Sequence, residues 1–299
     1  MLSKKLIVIA GPTAVGKTEV ALRLAEYFKT EILSADSRQI FKELEIGTAK
    51  PTFQELNRVR HHFINTHSID QVYDAGAYGA EALALIHDLF KVYDVLVLCG
   101  GSGLYMKAVL EGFDEMPKVP SGTRERIMEE YRLKGMDWLQ KEIKKCDPEY
   151  FRQVDINNPH RLMRALELFR SSGIKASQWR LKEKRSHDFT IIKIGLELAR
   201  EELYQRIDTR MDTMIENGLF EEAHRFIAKR ELNALQTVGY REVFDYLEGE
   251  YDREEAIRLL KRNSRRYAKR QLTWFKRDPE MHWFKPDQFE EMIRLIENG

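Results

Sequence analysis

The sequence predicts an α/β fold: a parallel sheet covered by helices on both faces and interrupted by a helical insertion. Three observations point there. The apolar run LIVIA leads directly into GPTAVGKT at residues 11–18. Strand-like and helix-like segments then alternate up to about Phe113, which implies parallel pairing because each crossover must carry a helix across the sheet. Beyond Phe113 come consecutive helical patterns only, until strand character returns at FTIIKIGLEL.

Taken in order, LIVIA reads as a short buried strand and TEVALRLAEYF as the helix after it. TEILSA is a second strand, ending at Asp36-Ser37, and HHFIN at residues 61–65 a third. AYGAEALALIHDLFKVY is helical in period, and DVLVLCGGSG is a buried strand running into a glycine turn. DEMPKVPSG, with two prolines and a glycine, reads as a linker. TRERIMEEYRLKG, DWLQKEIKKC and NPHRLMRALELFRSSG follow as helices, the last with Pro159 near its start. After FTIIKIGLEL the chain is again helical: REELYQRIDTRMDTMIENG, LFEEAHRFIAKR and a long basic segment. The expected organisation is a core of residues 1–113 and 189–299 with a helical insertion at 114–188.

Composition narrows the class. With 43% hydrophobic and 32% charged residues over 299 positions, the chain is that of an ordinary globular protein. No apolar run approaches the ~18 residues of a membrane span, and five apolar residues before Gly11-Pro12 are too short for a signal-peptide core. A cytoplasmic protein without a membrane partner, and a monomer, is expected. Cys99 and Cys146 are the only cysteines, so a disulfide framework is excluded and both are read as packing residues. Residues 257–277 hold nine Lys or Arg and no acid, leaving the rest of the chain at about −8 against a net charge of +1. Positive charge concentrated in this way calls for an anionic partner.

Gly11, Gly16, Lys17 and Thr18 fit G-x-x-x-x-G-K-[ST] without deviation. In such a loop, running Pro12-Thr13-Ala14-Val15 between two glycines, the backbone N–H groups (all but that of Pro12, which has none) surround phosphate oxygens, Lys17 supplies a mobile charge, and the Thr18 hydroxyl is a candidate Mg²⁺ ligand. The following helix offers its N-terminus to the same anion. A typical nucleotide hydrolase has a later strand ending in Asp. Here VLVLCGG ends in glycine, and Asp94 stands at the wrong end of it. The loop is therefore expected to hold a diphosphate outside an ordinary ATP-hydrolysis cycle. Asp36 follows the second strand, where ligands collect in an open α/β sheet. Position alone leaves it between a turn cap and a catalytic group.

GPTAVGKT, SADSRQIFKELEIGTAKP, GGSGLYMKAVLEG and QTVGYRE together resemble the tRNA dimethylallyltransferases, also called tRNA isopentenylpyrophosphate transferases, in matching order from residue 6 to about residue 277. The resemblance implies a P-loop nucleoside-triphosphate-hydrolase-like parallel sheet core with an inserted helical domain that grips the anticodon stem. It implies transfer of a dimethylallyl group from dimethylallyl diphosphate to N6 of the adenosine 3′ to the anticodon (tRNA position 37), in tRNAs reading codons that begin with U. Asp36 becomes the expected general base, with Lys17, Thr18, the loop amides and Mg²⁺ stabilising the leaving diphosphate.

The same resemblance assigns further residues. Arg210 is a second diphosphate contact, although Arg206 and Arg210 with Asp208 and Asp212 also read as a salt-bridged helix face. Ser102 stands where the family more often has Thr, and a hydroxyl contact to diphosphate or nucleotide is kept. Contacts to tRNA are implied for Asp36, Ser37, Arg38 and Gln39, for Ser102 and Arg124, for His160, Arg161 and Arg164 in NPHRLMRALE, and for Gln236, Gly239 and Arg241 in QTVGYRE. In the basic segment Arg258, Lys261, Arg262, Arg265, Arg266, Lys269 and Arg270 recur at helical spacing as an unneutralised stripe suited to an RNA backbone. Trp274 and Phe275 read as core, with base stacking as the alternative. HHFIN replaces the family's usual HHLID, so Asn65 is a departure; adjacent His61 and His62 do not share a face and are not read as a metal site. A nucleoside-type kinase would explain the loop but not the basic stripe, and a non-catalytic RNA-binding regulator is the third reading.

Overall fold

In the computed structural model, residues 4–113, 119–120, 122–178 and 185–299 are described. The chain divides into two compact units, Met1–Glu111 with Ser186–Gly299, and Gly112–Arg185. The first unit begins with β1 (Lys5–Ala10), α1 (Lys17–Tyr27), β2 (Ile32–Ser34), α2 (Phe53–Arg58), β3 (His61–His62), α3 (Ala75–Leu89), β4 (Val95–Gly100) and α4 (Gly103–Leu110). The second unit is helical: α5 (Thr123–Cys146), α6 (Pro148–Gln153) and α7 (Pro159–Ser172). The first unit resumes with β5 (Thr190–Leu196), α8 (Arg200–Glu216), α9 (Leu219–His224), α10 (Tyr240–Leu247), α11 (Arg253–Phe275), β6 (His282–Phe284) and α12 (Phe289–Asn298).

The sheet is wholly parallel, in the order β3-β2-β4-β1-β5-β6. β1 lies inside it, and Leu6 to Ala10 are no more than 1% exposed, as expected for a strand covered on both faces. Register is what places the site. Ala10 pairs with both Gly100 and Gly195, and Ser34 pairs with Cys99. The segments after β1, β2 and β4 therefore leave the sheet at one level and meet there. Tyr78 of α3, fully buried, donates its hydroxyl to the Ser34 carbonyl (2.9 Å) and stacks on Tyr105 of α4 (centroids 4.5 Å). That support fixes the chain two residues before Asp36.

Several elements differ from expectation, among them α2, α6, α10 and α12, which were not anticipated as separate helices. β3 stops after His62, because Phe63 (φ 61°) and Asn65 (φ 56°) turn the backbone into the left-handed region. Asparagine tolerates that conformation well, which accounts for Asn65 locally. α4 begins immediately after the GGSG turn, where no helix was anticipated. β6 is three residues long and pairs only with β5, too short to show a period.

In the second unit Ile127, Leu139, Ile143, Leu162, Ala165 and Leu166 form the core, so α7 packs through its Leu162, Ala165 and Leu166 face. The two helices expected at 123–135 and 137–146 are both present within α5, separated by a kink at Gly135, whose backbone (φ 73°, ψ −170°) is not helical. α7 has Asn158 as its cap, Pro159 in its first turn and Gly173 (φ 72°) just past its end. The linker read at residues 114–122 falls mostly outside the described residues. Among the described residues no helix is long and apolar enough to cross a membrane.

Candidate active site

The phosphate loop is shaped by two left-handed residues, Ala14 (φ 64°) and Gly16 (φ 105°), the second serving as N-cap of α1. Successive amides in such a conformation turn toward one concave side, which is the geometry of an anion nest. Lys17 folds back so that Nζ donates to the Pro12 carbonyl (2.7 Å). Burial draws its ammonium down to about 8; the Cys99 thiol and Asp36 oppose that shift and Arg210 adds to it. The Thr18 hydroxyl accepts or donates no hydrogen bond to another described residue.

Lys17, Thr18, Asp36 and Arg210 line one cavity of about 440 Å³, together with Arg38, Gln39 and the glycine-containing segments at 47–49 and 237–239. Asp36 serves two purposes. Its Oδ1 accepts from the amides of Arg38 (2.9 Å) and Gln39 (3.3 Å), closing the turn after β2. Its Oδ2 accepts nothing from the described residues, so one oxygen orients the carboxylate and the other is left for a ligand. The turn cap and the candidate base are the same group.

Ser102 is found behind this turn. Its hydroxyl accepts from the Ser37 amide (2.9 Å) and bonds the Ser37 hydroxyl (3.1 Å), and the cavity lining does not include it. In this position it supports the turn that carries Asp36. Gln39 is likewise structural on one side: Nε2 donates to the Thr48 and Ala49 carbonyls (3.3 and 3.0 Å). Burial lowers the basicity of the Arg38 guanidinium, with Asp36 opposing. Burial does the same at Arg210, again opposed by Asp36. No ion pair to Arg210 forms among the described residues, whereas Arg206 pairs with Glu202 (2.9 Å).

The far wall rests on a carboxylate that the sequence did not single out. Glu222 of α9, 1% exposed, accepts from the amides of Glu45, Ile46 and Gly47 (3.0, 2.9 and 2.9 Å) and from the Tyr240 hydroxyl. A Cβ at Gly47 would lie 2.6 Å from the Tyr240 ring, so the ring and the loop require glycine there. Glu242 of α10 similarly accepts from the Gly239 amide (2.8 Å) and from Asn263 of α11 (2.7 Å). Glu222 sits in a stretch that reads only as helix, and Glu242 ends the QTVGYRE motif with no role assigned to it; three consecutive amides waiting for an acceptor leave no trace in spacing.

Comparison with known proteins fits this geometry. The IPP transferase family model matches residues 39–278. The chain belongs to the IPP transferase family. Full-length relatives extend the match across the phosphate loop. The tRNA dimethylallyltransferase of Cytophaga hutchinsonii is 50% identical over 296 residues, covering 99% of this chain and 97% of that protein. The tRNA dimethylallyltransferase 1 of Bacteroides fragilis is 47% identical over 297 residues, covering 99% of each. Among solved structures, the full-length tRNA isopentenylpyrophosphate transferase of Bacillus halodurans superposes with a TM-score of 0.73 at 34% identity, over 99% of this chain and 96% of that one. A eukaryotic dimethylallyltransferase described as acting on tRNA superposes at 0.74 with 28% identity, over 91% of this chain and 70% of that one.

In this IPP transferase the basic helix is less uniform than its sequence. Arg258 pairs with Glu255, Lys261 with Asp212 and Arg265 with Asp208, all at 2.6 Å. The seven-cation stripe is thus corrected: α8 and the start of α11 supply acids that were distant or ignored in the linear reading. Arg266, Lys269 and Arg270 are exposed and have no carboxylate partner among the described residues. Phe275 is core, but Trp274 is 38% exposed. What the inner face of α11 contributes was not foreseen: Ser264, Tyr267 and Gln271 line the cavity. Burial pushes the Tyr267 hydroxyl up to about 12.

Gln236 and Arg241 are exposed, Gln236 donating to the Arg230 carbonyl (2.6 Å). In the second unit His160 and Arg161 are exposed, while Arg124 and Arg164 both approach the buried Glu167 (3.6 and 3.0 Å). His62 lies 2.6 Å from Glu31, and His61 2.8 Å from the Val59 carbonyl.

Proposed function

We propose that the chain transfers a dimethylallyl group from dimethylallyl diphosphate to N6 of the adenosine at tRNA position 37, beside the anticodon. The observation that carries this reading is the cavity itself, in which a phosphate nest with Lys17 and Arg210 shares one space with the half-free carboxylate of Asp36. An exocyclic adenine amine is a weak nucleophile, since its lone pair is delocalised into the ring. Asp36 Oδ2 accepts the N6 proton as the N6–C1 bond forms and the bond from C1 to the diphosphate oxygen breaks. The leaving diphosphate takes the electron pair, and the loop amides, Lys17 and Arg210 meet the charge that develops on it.

The donor set suits Mg²⁺ held mainly by the substrate. Among the described residues no cluster of His, Cys, Asp or Glu is fit to enclose a metal, while Thr18 is among the residues lining the cavity. That fits a cation carried on diphosphate oxygens and water with a single protein ligand. When bound, Mg²⁺ adds positive charge at the leaving group. For RNA, the exposed Arg266, Lys269 and Arg270 of α11 are proposed to meet the backbone, and His160 and Arg161 of the insertion to meet the anticodon stem.

The test uses unmodified tRNA, Mg²⁺ and dimethylallyl diphosphate labelled in the prenyl group. Label should enter RNA with the wild-type protein and not with Asp36→Ala. ATP-dependent phosphorylation of a small acceptor, with no label in RNA, would replace this reading with that of a kinase.

A further inference from the structure

Gln271 lies on the inner face of α11 and is 7% exposed. Both ends of its amide are used. Oε1 accepts from the Thr13 amide of the phosphate loop (2.9 Å), and Nε2 donates to the Gly101 carbonyl beyond β4 (2.9 Å). The two partners follow adjacent strands whose last residues, Ala10 and Gly100, are in register. One donor and one acceptor fix the orientation of the amide, since reversal would set like against like at both ends. Space is reserved for it as well: a Cβ at Gly101 would lie 2.4 Å from Nε2. An apolar side chain of the same length would fill the volume but leave the Thr13 N–H and the Gly101 C=O unmet.

We propose that Gln271 is a positioning residue that presets the phosphate loop for the diphosphate by pinning Thr13 to the end of β4. It touches no reacting atom. With Thr13 tied back, the loop between Gly11 and Gly16 keeps its curvature before any anion arrives, and the amides of Ala14 to Lys17 stay aimed into the nest. The inference rests on the function proposed above and adds the source of the loop's rigidity, which comes from a helix remote in sequence.

The test is Gln271→Met, which keeps length and removes both hydrogen bonds. The expected result is a split: KM for dimethylallyl diphosphate rises about ten-fold and binding of inorganic diphosphate by calorimetry weakens by a similar factor, while KM for tRNA stays within about two-fold. A residue that merely packs would lower Tm and leave both constants at wild-type values, and that outcome overturns the proposal. An equal rise in both KM values overturns it too. Should the Met variant fail to fold, Gly101→Ala displaces the amide from its partners while keeping it, and must give the same split. Absence of transfer by the wild-type protein would defeat the functional reading instead, independently of Gln271.

Discussion

Asp36 holds the turn after β2 with one oxygen and presents the other to the cavity, and these two duties are separable by substitution. Asn keeps an Oδ1 acceptor for the amides of Arg38 and Gln39 but lacks basicity. Asp36→Asn should therefore retain inorganic diphosphate binding and Tm yet lose about 10²- to 10⁴-fold in turnover, read by single-turnover label transfer. Lys17 gives a pH expectation. Burial draws its ammonium down to about 8, so the charged form dominates below that pH. Diphosphate binding should weaken as pH rises through 8, tested by calorimetry from pH 6.5 to 9.5 in buffers of matched ionic strength. At this scale much of the site was legible. Gly11, Gly16, Lys17 and Thr18 lie within eight residues, and their spacing alone encodes a loop. The support behind the Asp36 turn was not legible, because the Ser102 hydroxyl bonds Ser37, a partner 65 positions away.

Between elements, buried polar anchors carry the arrangement. Glu222 satisfies three amides and a hydroxyl, so Glu222→Ala leaves those donors dry and should destabilise the fold by about 3 kcal/mol or more in urea titration, with loss of activity. On α11 the exposed and the paired cations should behave differently. Replacing Arg266, Lys269 and Arg270 together by Ala should weaken tRNA binding and make its log-affinity slope against log-salt shallower by roughly 2 to 3. Arg265→Ala, which breaks the pair with Asp208, should change that slope by less than roughly 1. Periodicity foretold helices α1, α3, α7 and α11 because each has an apolar face of several turns. It missed β6 and α4, which are short, and it overcounted the free charge on α11 because Asp208 and Asp212 belong to another helix.

For the whole molecule, two units with separate cores imply separate cooperativity. The core of Ile127, Leu139, Ile143, Leu162, Ala165 and Leu166 is small beside that around the parallel sheet. Hydrogen exchange should accordingly show amides of α5 and α7 opening at lower free energy than those of β1 and β4. Coincident opening of both sets would indicate a single cooperative unit. The bond from Lys17 to the Pro12 carbonyl bears on how such an enzyme empties itself. The ammonium has three N–H donors and spends one on its own loop, so the chain sets its position and two donors remain for an anion. Were the proposed diphosphate to bind and leave, that tether could stay in place throughout, and the loop would keep its shape from one turnover to the next.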